Sequence, residues 1–222
     1  MIVGERKPMQ EILDMIADHK KIFIAGCGTC VAVCMAGGDK EVSILSSAIK
    51  MARNKENKPI EILEQTPLRQ CEWEFVDELK DKIEACEAVL SMACGIGVQT
   101  LVERFPKVIV YPAVNTTFLG LPEEQGVWSE RCGACGNCVL DKTGGICPIV
   151  RCSKSLLNGP CGGSQDGKCE VDPEVDCAWQ LIYDRLKTLG KLDDLTEILP
   201  PKDWSTGRDG GPRKIVREDM KL

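Results

Sequence analysis

The placement of fourteen cysteines constrains this chain more than any other feature. Six of them, Cys27, Cys30, Cys34, Cys71, Cys86 and Cys94, are spread over residues 1–131; the other eight crowd into the 46 residues from Cys132 to Cys177. At about 6% of 222 residues the total falls below the roughly 8–10% of a disulfide-knit small domain. The chain is also long enough to bury a core without disulfide help. The opening MIVGERKPMQEIL lacks the apolar stretch of a signal peptide, and no run approaches ~18 apolar residues. The sequence therefore reads as a soluble cytoplasmic chain with no membrane span, a setting in which clustered thiols hold metal more often than they pair. A single histidine, His19, excludes mixed Cys/His zinc fingers and His-dependent triads, and reads as a solvated or capping residue. A net charge of −6 excludes a nucleic-acid binder, which needs a basic face.

The two cysteine groups sit in unlike surroundings. Residues 1–120 alternate strand-length apolar runs with helical periodicity. Lys21–Ala25, Ile60–Glu64, Ala88–Met92 and Lys107–Tyr111 read as strands; Ile12, Met15 and Ile16, then Val42, Leu45, Ile49 and Ala52, then Trp73, Val76, Leu79 and Ile83 read as helix faces. That alternation implies an α/β fold, an open parallel sheet with flanking helices, and the nearly continuous apolar strands imply burial on both faces. Residues 121–190 are rich in Cys and Gly and too poor in periodic apolar residues to build a core, so a metal-stapled segment is expected there. A closing helix is expected over Val175–Leu189, capped by Asp172 with Pro173 and Glu174 in its first turn. Residues 191–222 form a tail without a core of its own, either disordered or an arm for another protein.

In the second group, Cys132-x2-Cys135-x2-Cys138 followed by Cys147-Pro148 has the spacing that wraps an iron–sulfur cluster. The gap before Cys147 is longer than in a bacterial ferredoxin, so spacing does not assign the fourth ligand. Zinc is the alternative, although a zinc ribbon has two separated C-x2-C pairs. Cys152, Cys161, Cys169 and Cys177 follow, separated by eight, seven and seven residues, with Cys177 in the first turn of the closing helix. Eight thiols supply two four-ligand sites, or one cluster and a zinc. In the first group, Cys27-x2-Cys30-x3-Cys34 follows the first strand, Cys71 the second and Cys94 the third. Loops at the carboxyl ends of parallel strands converge on one crevice, where these five thiols can meet. Cys30 opens a helix where a dinucleotide-binding motif would carry its phosphate turn, and the third glycine is missing. Cys86 reads as a packed small hydrophobe. No triad, paired-carboxylate site or P-loop is present.

IAGCGTCVAVCMAGG, SMACGIGVQT, ERCGACGNCVLDKTGGICPIVRC, SLLNGPCGGSQDGKCEVDPEVDCAW and KDWS…GPRKIVRED together resemble the methylenetetrahydrofolate reductase C-terminal-domain family. That family includes the small iron–sulfur subunit beside the flavin-containing reductase of acetogenic and related anaerobic bacteria. The resemblance implies an electron-transfer subunit, itself non-catalytic. It would deliver electrons from ferredoxin or a larger redox complex to the flavoprotein that reduces methylenetetrahydrofolate to methyltetrahydrofolate. It also implies [4Fe-4S] clusters at two or three sites, with zinc open at one, held by Cys27, Cys30, Cys34, Cys94, Cys132, Cys135, Cys138, Cys147, Cys152, Cys161, Cys169 and Cys177. Cys71, outside these motifs, joins the candidate ligands by its place after the second strand, where only four of the five thiols are needed. A zinc-binding structural or docking module of the same flavoprotein is the alternative. No flavin phosphate site or folate-binding residue is identifiable in the chain, which leaves turnover to the partner.

Overall fold

A computed structural model describes residues 1–221, which divide into two compact units, residues 1–129 and residues 130–221. The first unit runs β1 (Ile2–Arg6), α1 (Met9–Met15), β2 (Lys21–Ala25), α2 (Cys30–Val33), α3 (Asp39–Lys55), β3 (Glu61–Gln65), α4 (Trp73–Asp77), α5 (Lys80–Glu84), β4 (Ala88–Ser91), α6 (Gly95–Arg104), β5 (Ile109–Pro112), β6 (Val114–Glu124) and the first half of β7 (Val127–Cys132). Strands β3-β2-β4-β5 form a parallel sheet in that order, the open α/β architecture expected from the alternation of strand and helix.

Side-chain alternation along β2 explains why the sheet is covered on both faces. Ile22 and Ile24 point into one core with Ile12, Ile16, Val42, Leu45 and Ile49. Phe23 and Ala25 point into the other with Val76, Leu79, Ile83, Val89 and Leu101. Helix α3 carries Asp39 and Glu41 in its first turn and Arg53 and Lys55 in its last, matching the helix dipole. Arg53 is buried and donates to the carbonyls of Ile16, Ala17, His19 and Lys58, tying the end of α3 to the loop before β2.

Three local expectations change. The stretch from Trp73 to Ile83 is two short helices, and Trp73 lies half-exposed beneath Arg104, which also makes a bidentate pair with Asp77. His19 is not solvated: Nε2 stands 3.1 Å from the Tyr111 hydroxyl and Nδ1 3.6 Å from Glu87. Residues 121–129 join an antiparallel sheet of order β1-β6-β7, an element without a sequence signal. Strand β6 mixes Asn115, Thr116, Gly120 and Pro122 with its apolar residues, so it lacks clean alternation.

Among its described residues the second unit has two α-helices, α7 (Pro148–Arg151) and α8 (Ala178–Thr188), with short 3-10 turns in the tail. Its apolar cluster is Trp179, Ile182 and Leu186, against which Ile146, Cys152, Leu156, Cys177 and Leu192 pack. Helix α8 starts later than expected, and Cys177 is its N-cap rather than part of its first turn. The stretch is instead paired in extended form: Cys169 N–H donates to Val175 O and Cys177 N–H to Gly167 O, around an antiparallel bridge between Lys168 and Asp176. Asp172 caps the intervening turn instead, accepting from Glu174 N–H.

Candidate functional site

In the first unit, the loops after β2, β3 and β4 lie together because backbone and side chain pin them. Gly26 N–H donates to Gln65 O and Gly28 N–H to Pro67 O, joining the first two loops. Gln70, fully buried, donates through Nε2 to Ala25 O at 2.8 Å and Gly26 O at 2.6 Å, while its Oε1 accepts from Ser91 Oγ at 2.7 Å. A Cβ on Gly97 would stand 2.8 Å from Gln70 Cβ, so glycine is what lets α6 approach this amide. The neighbour of Gln70 is Cys71. Burial raises the Cys71 thiol above its ordinary value, and Cys27 and then Cys94 add to the effect, which places all three thiols at one end of the sheet.

The other two thiols of the group lie differently. Cys34 is buried against β1, where its Sγ donates to Ile2 O at 3.6 Å and its thiol is pushed up first by burial. Cys30 opens a helix of a single turn and acts on Cys34. Cys86 packs at the edge of the core of Phe23 and Val89, its thiol raised by burial.

In the second unit, Cys152, Cys161, Cys169 and Cys177 line one small pocket together with Pro160, Ser164 and Trp179. The 169–177 pairing described above sets two of the four side by side. The one-turn helix α7 sets the spacing of two others, Cys147 as its N-cap and Cys152 as its C-cap. Several sulfurs receive hydrogen bonds. Ser153 Oγ lies 3.4 Å from Cys169 Sγ, and that hydroxyl, followed by the backbone N–H of Val171, holds the thiol below its ordinary value. Gly163 N–H donates to Cys161 Sγ at 3.5 Å and Ala134 N–H to Cys132 Sγ at 3.4 Å. Cys177 and Trp179 also wall an open cavity of about 470 Å³, lined on another side by Leu195, Glu197, Ile198 and Leu199, the last held by paired 2.8 Å hydrogen bonds with Asn158.

Among the described residues no three His, Cys, Asp or Glu side chains stand grouped tightly enough for a metal ion. The chemistry of the donors nonetheless fits one. Four sulfurs are the largest donor set of the pocket, whose other polar linings are Arg151, Lys154, Ser164 and Glu170, with Glu170 paired to Lys154. The hydrogen bonds that reach sulfur are of the kind that stabilise thiolate. Sequence reasoning missed the Gln70–Ser91 pair and the tail residues Lys202, Thr206 and Arg213, which bond to the Cys132–Cys138 loop. For the tail a signal existed in the KDWS…GPRK stretch; for Gln70 there was only its place beside Cys71.

No helix among the described residues is long and apolar enough to cross a membrane. Residues 111–205, somewhat under half of the chain, match the family described as methylene-tetrahydrofolate reductase C terminal. No curated protein and no solved structure matches the chain.

Proposed function

From the family match over residues 111–205, we propose that this chain is the iron–sulfur electron-transfer subunit of a flavin-containing methylenetetrahydrofolate reductase. The observation that carries the reading is the convergence of Cys152, Cys161, Cys169 and Cys177 on one pocket, although they are spread over a span of 26 residues. In this reading Cys132, Cys135, Cys138 and Cys147 are the ligands of a second site in the same unit. Cys27, Cys71 and Cys94, with Cys30 and Cys34 nearby in sequence, belong to the crevice of the first unit.

When bound, an iron–sulfur cluster supplies reversible one-electron transfer at a potential set by its surroundings. The chain's own residues would set those surroundings. Ser153 and the N–H groups over Cys169 stabilise negative charge on sulfur. Cys177 stands at the N-terminus of α8, where the helix dipole favours its thiolate. Buried Trp179, held by its Nε1 donating to Leu156 O at 3.0 Å, excludes water from one wall. The reduction of methylenetetrahydrofolate would take place on the flavoprotein, with ferredoxin or a larger redox complex as donor.

Iron, acid-labile sulfide and zinc per chain, measured on protein kept from air, test the reading together with electron paramagnetic resonance after dithionite reduction. Iron and sulfide in near-equal amounts and a reduced-cluster signal are expected, with the signal diminished in Cys169→Ser. Zinc without iron or sulfide would overturn the proposal. That result would leave the zinc-bound docking module, for which the three-residue core of the second unit speaks.

A further inference from the structure

The Cys132–Cys138 loop has an unusual backbone. Ala134 has φ +49° and Gly136 φ +81°, both in the left-handed region. An alanine there is strained, and such a residue persists only where its surroundings over-determine it. Those surroundings come from the tail. Arg213 Nη1 donates to Ala134 O at 3.0 Å and also to Thr206 O at 2.9 Å. Thr206 Oγ1 donates to Cys135 O at 2.9 Å, and Lys202 Nζ to Asn137 O at 2.9 Å. The approach is close: a Cβ on Gly136 would stand 2.1 Å from Thr206 O. Three side chains from one segment thus take three carbonyls of a seven-residue loop.

The consequence follows from peptide planarity. A carbonyl turned toward the tail directs the next residue's N–H the opposite way. With the carbonyls of Ala134, Cys135 and Asn137 held, the N–H groups of Cys135, Gly136 and Cys138 face away from the tail. Successive N–H groups around left-handed residues form a concavity suited to an anion, and Ala134 N–H already donates to Cys132 Sγ. Lys202 and Arg213 add positive charge behind a loop of three thiols.

We infer that residues 202–213 are a clamp that holds the Cys132–Cys135–Cys138 loop in its ligand-binding shape, with Arg213, Thr206 and Lys202 as positioning residues. The inference rests on reading that loop as a ligand set, and it assigns the tail a task within its own chain.

The test uses the full chain carrying Arg213→Met, Thr206→Val or Arg213→Lys, with Lys214→Met, which lies outside the contacts, as control. Hydrogen exchange by mass spectrometry reads residues 133–138, and iodoacetamide labelling of protein as isolated reads Cys132, Cys135 and Cys138. In Arg213→Met and Thr206→Val both rates are expected to rise about tenfold, the effect of losing one charge-assisted or buried hydrogen bond. Cys152 and Cys169 should keep their rates, Arg213→Lys should fall between, and Lys214→Met should match the parent. Parent-like exchange at 133–138 in both disruptive variants would overturn the clamp. So would a rise shared equally by Cys152 and Cys169, which reports general unfolding. Metal content of the parent is measured on the same preparation. Its absence would sink the electron-transfer reading, while exchange at 133–138 would still decide the clamp.

Discussion

Gln70 shows how much one side chain can determine about a site it does not itself ligate. Its amide satisfies two carbonyls at the end of β2 and one hydroxyl at the end of β4, all out of reach of water. Replacing it with leucine keeps the bulk but takes the side-chain donor from Gly26 O and the acceptor from the Ser91 hydroxyl, while Ala25 O keeps its bond from Met92 N–H. Gln70→Leu is expected to cost about 1–3 kcal/mol for each orphaned group that water cannot reach. It should also release Cys71 from Cys27 and Cys94. Urea unfolding measures the first effect, and the labelling rate of Cys71 the second; an unchanged midpoint would refute the role. At this scale the sequence was only partly legible. The thiols announced themselves by their number and spacing. Gln70, Ser91, Lys202, Thr206 and Arg213 are ordinary polar residues whose partners lie between 21 and 79 positions away, so no local pattern marks them.

Elements were legible where burial imposed a period. The four parallel strands and α3 were readable because both sheet faces and one helix face are apolar. The antiparallel strands were not, because β1 offers only Ile2 and Val3 and β6 carries polar residues on both faces. Helix α8 was readable in its apolar face but not in its start, since the turn binding Cys169 to Val175 depends on folding of the whole loop. That face is most of the apolar core its unit has. Leu186→Ala, which empties a fully buried site, is therefore expected to cost about 2–5 kcal/mol. Denaturation followed by the fluorescence of Trp179, which packs beside Leu186, measures it; a loss under 1 kcal/mol would mean that other contacts hold the unit.

The whole molecule divides its stability unevenly. The first unit holds two extensive apolar cores, whereas the second has one cluster of three buried residues and eight cysteines. If metals cross-link the second unit, chelation should raise hydrogen exchange in α8 and the 161–177 loops. Exchange in β2 and β4 should stay where it was. Unchanged protection of α8 after complete metal removal would show that the second unit folds by itself. The same division bears on how the molecule is made. Cys27, Cys71 and Cys94 follow β2, β3 and β4, and β4 pairs with β2 on the side opposite β3. As the chain leaves the ribosome, that crevice has no complete wall until β4 has emerged and docked. If that crevice holds a metal centre, as proposed, folding there must precede its insertion. In the second unit the thiols emerge within one short loop-rich stretch that has little else to fold around, so under the proposed function metal insertion and folding there would be a single event.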